Sequence, residues 1–103
     1  VKNFVRKFEE FDIVSLNELE NRRDFRSDII IVKNGEEIFG YIYKKQLLKI
    51  DEMEIYDLIS KPFFMSDNSK VEDVIKEMKN KKLSVVFTES GIITLEDIWK
   101  GIV

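Results

Sequence analysis

The sequence contains no cysteine and no histidine, and only one proline and four glycines in 103 residues. The lack of cysteine excludes disulfides and thiolate metal sites, and the lack of histidine removes the commonest general base and metal ligand. No apolar run approaches the roughly 20 residues that cross a bilayer. No EF-hand spacing, glycine-rich phosphate loop or nucleophile elbow is present. These absences predict a non-catalytic domain, and we expect no metal site, although carboxylates alone could still hold Mg²⁺ or Ca²⁺.

What remains is the composition of an ordinary soluble globular domain, with 44% hydrophobic and 36% charged residues. The length suits one domain with a modest core. The net charge is −3, and acidic and basic residues are interspersed along the chain. A large basic surface for DNA or RNA is therefore absent, and we expect no nucleic-acid partner. We interpret the first residue, Val1, and the apolar end at residues 101–103 as boundaries within a longer protein.

Two hairpin signals organise the chain. Asn34-Gly35 separates β-rich runs at residues 29–32 and 38–43, and both turn residues tolerate a positive φ. The all-apolar run before the turn predicts a strand that is covered on both faces. A second pair of runs, residues 83–87 and 92–93, predicts another, tighter hairpin.

Helical periodicity flanks each hairpin. Ser15 with Glu18, and Ser69 with Glu72, each predict a capping box at the start of a helix that precedes a hairpin. Further helices are predicted after the hairpins, over residues 44–50 and 95–103. The last helix carries an apolar stripe of Leu95, Ile98, Trp99 and Ile102. Its tryptophan fits either a core position or an interface with a second copy of the domain.

The first 13 residues allow two interpretations. Phe4, Val5, Phe8 and Phe11 fit one helical face, whereas Phe11 and Ile13 also fit a short strand. We predict a helix from Phe4 towards Phe8, followed by an extended stretch.

The two halves of the chain repeat one pattern. The Ser/Glu helix start and the first strand of the hairpin recur at one constant offset, and Gly40 and Gly91 open matching segments. Each half reads as an extended lead-in, a helix, two strands and a helix. Two copies are too few for a solenoid. We expect one pseudo-twofold α+β domain with a small mixed sheet and packed helices in each half, the first repeat over residues 1–60 and the second over 61–103.

This pattern resembles a tandem pair of CBS (cystathionine β-synthase) repeats, which are of βαββα type. Residues 91–98, Gly-Ile-Ile-Thr-Leu-Glu-Asp-Ile, are similar to the end of the second repeat in proteins of the CorC/hemolysin C type. Residues 62–66, Pro-Phe-Phe-Met-Ser, resemble their lead-in to that repeat, and residues 40–48 resemble a segment of their first repeat. The resemblance covers most of the chain from about Ser15 onward.

The resemblance implies an adenine-nucleotide site in the second repeat, for AMP, ADP or ATP with or without Mg²⁺. By the family's Thr-x-x-Asp pattern, Thr94 would contact phosphate at a helix N-terminus and Asp97 would accept hydrogen bonds from ribose hydroxyls. The backbone around Met65 and Leu83 would face the base, and Lys82 would offset the phosphate charge. The Thr94 and Asp97 pair is also an ordinary helix start, and the two roles are compatible.

Both repeats depart from the family pattern. In the first repeat, Tyr43 and Gln46 stand where a Thr or Ser and an Asp are expected, and a Pro-Arg pair near Val5-Arg6 is missing, which argues against a ligand pocket there. In the second repeat the hairpin turn is short, which reshapes the expected pocket.

The function implied by the resemblance is a regulatory module on the cytoplasmic side of an integral membrane protein of the magnesium/cobalt efflux or hemolysin-like class. It would sense an adenine nucleotide, modulate ion transport by the transmembrane domain of that protein, and form a homodimer through its CBS pair. The departures in the first repeat favour an alternative, a structural dimerisation module without a ligand.

Overall fold

A computed structural model describes residues 1–51 and 54–102 of the chain. The chain divides into two compact units. The repeat-1 unit is Glu9–Pro62, and the repeat-2 unit combines Val1–Phe8 with the chain from Phe63 onward. Residues 1–8 thus lie in the same unit as the second hairpin, β5 and β6.

The elements follow the predicted order in each unit. The strands within the described ranges are β1 (Arg6–Lys7), β2 (Asp12–Ser15), β3 (Ile29–Asn34), β4 (Glu37–Tyr43), β5 (Val85–Phe87) and β6 (Gly91–Thr94). The α-helices there are α1 (Leu16–Asn21), α2 (Ile55–Leu58), α3 (Val71–Lys81) and α4 (Leu95–Ile102). Short 3-10 helices span Lys2–Phe4, Phe8–Glu10 and Lys44–Lys49.

The repeat-1 unit contains a mixed sheet in the order β2-β3-β4, in which β2 is parallel and β4 antiparallel to β3. Asn34 pairs with Glu37 across a two-residue turn, and Gly35 there has φ 65. The predicted Asn-Gly hairpin is thus confirmed. Residues 29–32 of β3 are no more than 3% exposed, which confirms a strand covered on both faces.

One face of this sheet packs on the helices of its own unit. Side chains from β2, β3 and β4 form a core with Leu19 of α1, Leu47 of the 3-10 helix, and Ile55 and Leu58 of α2. The Ser15 hydroxyl accepts a hydrogen bond from the Glu18 N–H at 3.2 Å, so the predicted cap of α1 is confirmed. The segment after β4 is a 3-10 helix instead of the α-helix that the pattern suggested.

The repeat-2 unit contains the sheet β1-β6-β5, with both pairings antiparallel. Phe64 continues this sheet through a parallel bridge to Phe87 on β5. The lead-in, hairpin and helices of this unit therefore match those of the repeat-1 unit. The buried residues of its core come from α3, β5, β6 and α4 and are Val74, Met78, Val86, Ile93 and Ile98.

The matching glycines occupy equivalent places in the two sheets. At Gly40, a Cβ atom would overlap the Ser60 carbonyl, because Tyr41 and Ser60 form an antiparallel bridge there. At Gly91, a Cβ atom would overlap the Arg6 carbonyl on β1. In each unit an additional extended segment passes so close to the second hairpin strand that a side chain has no room.

Two local predictions are wrong. The N-cap of α3 is Lys70, without a side-chain hydrogen bond, and its carbonyl accepts the first helical bonds from Asp73 and Val74, whereas the Ser69 carbonyl accepts from the Val1 nitrogen at 2.8 Å. Residues 4–8 do not form a helix, since β1 pairs with the distant β6 instead. Of the two positions that the sequence left open for Trp99, the core is excluded, because its side chain is 55% exposed.

The predicted helix over residues 95–103 corresponds to α4, and Val103 and the side chain of Ile102 lie outside the described part of the chain. Within residues 1–51 and 54–102, no helix has the length and hydrophobicity needed to cross a membrane.

Candidate functional site

The candidate site lies where β6 ends and α4 begins. Thr94 is the last residue of β6 and pairs with Val85 on β5. The Leu95 N–H donates to the Ser84 carbonyl at 2.9 Å. This bond ties the start of α4 to the start of β5, so that residues 83–84 lie directly beside Thr94.

Thr94 caps α4. Its hydroxyl oxygen accepts a hydrogen bond from the Asp97 N–H at 3.1 Å, as the capping pattern predicts. Thr94 is only 8% exposed, so its hydroxyl is held in a defined position by the sheet. A hydroxyl that accepts one hydrogen bond still has its own proton to donate. Thr94 can therefore cap the helix and contact an anion at the same time.

Asp97 carries an unusual carboxylate oxygen. Its Oδ2 atom is buried and has no hydrogen-bond partner, and it is the only such side-chain atom among the residues that the structure describes. Burying an unpaired polar atom is unfavourable by about 1–3 kcal/mol, and most native structures avoid it. Capping does not need this oxygen. A ligand with hydroxyl or amide donors supplies the missing partner only if the Asp97 side chain turns to expose this buried oxygen.

The other predicted site residues lie at different distances from Thr94. Leu83 is adjacent through Ser84, and its N–H closes α3 by donating to the Met78 carbonyl at 2.8 Å. Lys82 precedes it in the left-handed conformation, at φ 56 and ψ 46, with an exposed side chain. Met65 is further away, because its N–H bonds to the Phe87 carbonyl at the far end of β5. A ligand that contacts both Thr94 and Met65 must span the sheet diagonally, across β5.

Lys81, a second lysine that the sequence analysis did not single out, lies against Phe63 in the lead-in to the second repeat. The Lys81 ammonium lies 5.1 Å from the centre of the Phe63 ring, a cation–π geometry. It is also 3.8 Å from Glu77, one turn earlier on α3. The only sequence signal was the short lysine run at the end of α3, in which nothing distinguishes one lysine from the next.

Hydrogen bonds between the lead-in and the second hairpin fix the approach to Met65. The Asp67 N–H donates to a Glu89 carboxylate oxygen at 2.8 Å, and the Ser90 hydroxyl donates to the Asp67 carboxylate at 2.9 Å. Hydrogen bonds from the Thr88 and Ser90 hydroxyls outweigh partial burial and hold the pKa of Asp67 below its usual value. The short hairpin turn thus anchors the lead-in instead of projecting over it.

The equivalent place in the repeat-1 unit is closed by its own side chains. There β4 ends at Tyr43, and the Tyr43 N–H donates to the Gln46 side-chain oxygen at 2.9 Å. The Tyr43 ring packs edge-to-face on Tyr41, with centroids 6.1 Å apart. Gln46 therefore uses its acceptor within the chain, whereas Asp97 keeps one free.

Metal ligands are not grouped in the described part of the chain. Residues 1–51 and 54–102 contain no cluster of three or more carboxylates that could hold a metal ion.

Solved structures of other proteins resemble this fold. No protein-family sequence model matches the chain, and no curated protein matches it in sequence. A CBS-domain pair from Klebsiella pneumoniae with bound AMP superposes with a TM-score of 0.76 at 13% identity, covering 99% of this chain and 96% of that chain. The chain has the fold of a tandem CBS pair.

Two other CBS structures give similar agreement. The CBS domain of a bacterial CNNM/CorC family Mg²⁺ transporter, in complex with ATP, has a TM-score of 0.75 at 21% identity and covers 98% of this chain and 84% of that chain. A hemolysin-like CBS protein from Oenococcus oeni PSU has a TM-score of 0.72 at 20% identity, with coverages of 96% and 86%. The predicted α+β fold with two βαββα repeats is confirmed, and the candidate site lies in the second repeat of this CBS pair.

Proposed function

We propose that this CBS pair is a regulatory module whose second repeat binds one adenine nucleotide. The observation that carries the proposal is the buried, unpartnered Oδ2 atom of Asp97 beside the capped N-terminus of α4. Solved CBS pairs of the same fold contain AMP or ATP, which supports this class of ligand.

Different site residues would contact the ribose and the phosphate of the nucleotide. A carboxylate oxygen without a partner accepts hydrogen bonds from the vicinal hydroxyls of ribose. The Thr94 hydroxyl and the positive end of the α4 dipole favour a phosphate group. Lys82 lies two residues before Ser84, which contacts the start of α4, so its positive charge would favour binding of the phosphate there. The backbone at Leu83 and Met65 would face the base.

We further propose a stoichiometry of one nucleotide per chain. The matching position in the first repeat lacks the short Thr or Ser hydroxyl and the carboxylate, because Tyr43 carries its hydroxyl at the end of a large ring and Gln46 is uncharged and accepts from the Tyr43 N–H. Since the described residues hold no carboxylate cluster, Mg²⁺ would enter only with the nucleotide phosphates.

In a longer protein, the module would act by a population shift. A nucleotide that binds one conformation of the CBS pair more tightly favours that conformation, and an attached domain responds to it. The likeness to CBS domains of a CNNM/CorC Mg²⁺ transporter and of a hemolysin-like protein supports a transmembrane partner domain that transports ions, with the module on the cytoplasmic side.

The first test is a calorimetric titration of the chain with AMP, ADP and ATP, each with and without Mg²⁺. We expect saturable binding with one site per chain. Asp97→Ala should weaken it at least tenfold, which is about 1.4 kcal/mol. Glu96→Ala is the matched control, because Glu96 lies in the same first turn but is exposed and paired with Lys100 at 3.0 Å. Its affinity should stay that of the unmodified chain.

Two results would count against this function. If none of the three nucleotides produces heat or thermal stabilisation at millimolar concentration, the site is only a helix cap. If Asp97→Ala and Glu96→Ala weaken binding equally, the loss reflects the charge of the first turn and not the free acceptor.

Dimerisation is the second candidate function, and the exposed Trp99 favours it. A tryptophan that is 55% exposed on an eight-residue helix is the kind of anchor that protein interfaces bury. If the chain functions by dimerisation, it sediments as a dimer, and the Trp99→Ser variant sediments as a monomer. Tyr56→Ser, at a similarly exposed aromatic residue of the repeat-1 unit, should have no effect. A monomeric chain at every concentration in analytical ultracentrifugation would reject a dimer.

A further inference from the structure

Residues 1–8 lie across the two elements that meet at the candidate site. Arg6 pairs with Ile92 on β6, and the 3-10 helix Lys2–Phe4 packs on α4. Gly101 permits this packing, because a Cβ atom at that position would overlap the Phe4 ring. We call residues 1–8 the strap.

In sequence, the residues that the strap contacts lie on either side of the candidate site. Ile92 precedes Thr94 on β6, on the same face of the strand. Gly101 follows Asp97 by one helical turn, so both lie on the same side of α4. The strap therefore touches β6 two residues before Thr94, and α4 near its C-terminal end, one turn beyond Asp97.

The strap packs on the repeat-2 core through Val1, Phe4 and Val5, but none of its eight residues is fully buried. Its ends are fixed by hydrogen bonds from the Val1 nitrogen to the Ser69 carbonyl at 2.8 Å and from the Phe8 N–H to the Ser90 carbonyl at 3.3 Å. No residue of its 3-10 helix is buried. Residues 1–4, together with Asp67, Asn68 and Val71, line a cavity of about 430 Å³. An element with so little buried area opens at low free energy.

We propose that the strap reports whether the second-repeat site is occupied. A nucleotide that contacts both Thr94 and Asp97 fixes the angle between β6 and α4, and the strap docks fully only when that angle is kept. By thermodynamic linkage, a docked strap tightens nucleotide binding by the same factor by which the nucleotide stabilises docking. This inference rests on the proposed function, and it adds that occupancy is transmitted to the N-terminal end of the chain.

The test combines hydrogen exchange with affinity, using AMP as the probe. At saturating AMP, we expect the amides of Phe4, Val5 and Phe8 to exchange about fivefold more slowly, the lower end of ordinary coupling between sites. The same amides in Asp97→Ala should not respond. Phe4→Ala, which removes the ring from α4, should weaken AMP binding by about the same factor.

Two further variants separate the strap from general stability. Gly101→Ala favours the helix, yet its methyl group displaces the Phe4 ring, so it should weaken AMP binding without unfolding α4. Phe39→Ala, at an exposed phenylalanine of the repeat-1 unit, should leave the affinity unchanged. If AMP binds but the exchange of residues 1–8 stays the same, this inference is wrong and the proposed function stands. If no nucleotide binds, both are wrong.

Discussion

Replacing Asp12 with alanine is expected to lower the free energy of unfolding by about 3 kcal/mol. Asp12 is 8% exposed at the start of β2, and its Oδ2 atom accepts hydrogen bonds from the Arg26 and Ser27 N–H groups at 2.6 and 3.0 Å. Its Oδ1 atom lies 3.6 Å from the Arg22 guanidinium. Alanine leaves these donors without their acceptor and frees the segment between α1 and β3.

Urea unfolding measures this loss, and Asp24→Ala is its matched control. Asp24 also pairs with Arg22, at 2.9 Å, but it is 87% exposed. Exposed ion pairs contribute less than about 1 kcal/mol, so the control should unfold near the midpoint of the unmodified chain. Equal midpoints for the two variants would contradict a structural role for the Asp12 carboxylate.

The same carboxylate makes stability depend on pH. Burial alone would raise the pKa of Asp12, but hydrogen bonds from Ser27 and Arg26 and the charge of Arg22 together lower it below its usual value of 3.8. The stabilisation is therefore complete above the pKa of the unfolded chain and is lost as the pH falls through the lower pKa of the folded chain. We expect the stability difference between the chain and Asp12→Asn to be constant near neutral pH and to shrink below about pH 4.

Replacing Asp97 with alanine is expected to have the opposite effect on the chain without ligand. The substitution removes a buried oxygen that has no partner, and alanine also favours a helix, so the free energy of unfolding should rise by about 1 kcal/mol. Nucleotide should cancel this advantage. At one hundred times its dissociation constant, a ligand stabilises the unmodified chain by about 2.7 kcal/mol, and tenfold weaker binding reduces that gain by about 1.4 kcal/mol.

Thermal unfolding with and without AMP tests both effects of this substitution. Glu96→Ala should show the full gain from nucleotide, because the exposed Glu96 carboxylate only pairs with Lys100. If Asp97 serves the helix alone, both alanine variants lose the favourable interaction of an acid with the helix dipole. An Asp97→Ala chain that unfolds below the unmodified chain would therefore favour capping over binding.

Local signals in the sequence were sufficient for much of the fold. Asn34-Gly35 marks its hairpin because the turn needs a positive φ at Gly35. Ser15 marks the start of α1 because its hydroxyl caps the helix. The apolar faces of α3 and α4 follow the helical period, with Val74, Met78 and Ile98 buried. Each of these features depends on residues a few positions apart.

The errors arise where distant residues decide the conformation. Residues 4–8 have a helical pattern, but Arg6 and Lys7 find backbone partners at Ile92 and Gly91, far along the chain. Ser69 has the spacing of a cap, but its carbonyl accepts a hydrogen bond from the distant Val1 nitrogen, and the N-cap is Lys70. For the candidate site, the Thr94 cap was visible in the sequence. The missing partner of Asp97 Oδ2 depends on packing around α4, which no spacing of residues reveals.

Gly40 and Gly91 occupy equivalent positions in the two repeats, and each lies against the backbone of an additional extended segment. Around them the repeats now differ in turn length, in helix type and in the groups at the candidate site. Gly40 and Gly91 remain alike because each lies under a neighbouring backbone that excludes any side chain. The shared glycines are thus set by main-chain contact, whereas the side chains at the candidate site differ between the two repeats. On the proposed function, the first repeat would supply packing alone and the second repeat would supply both packing and the ligand site.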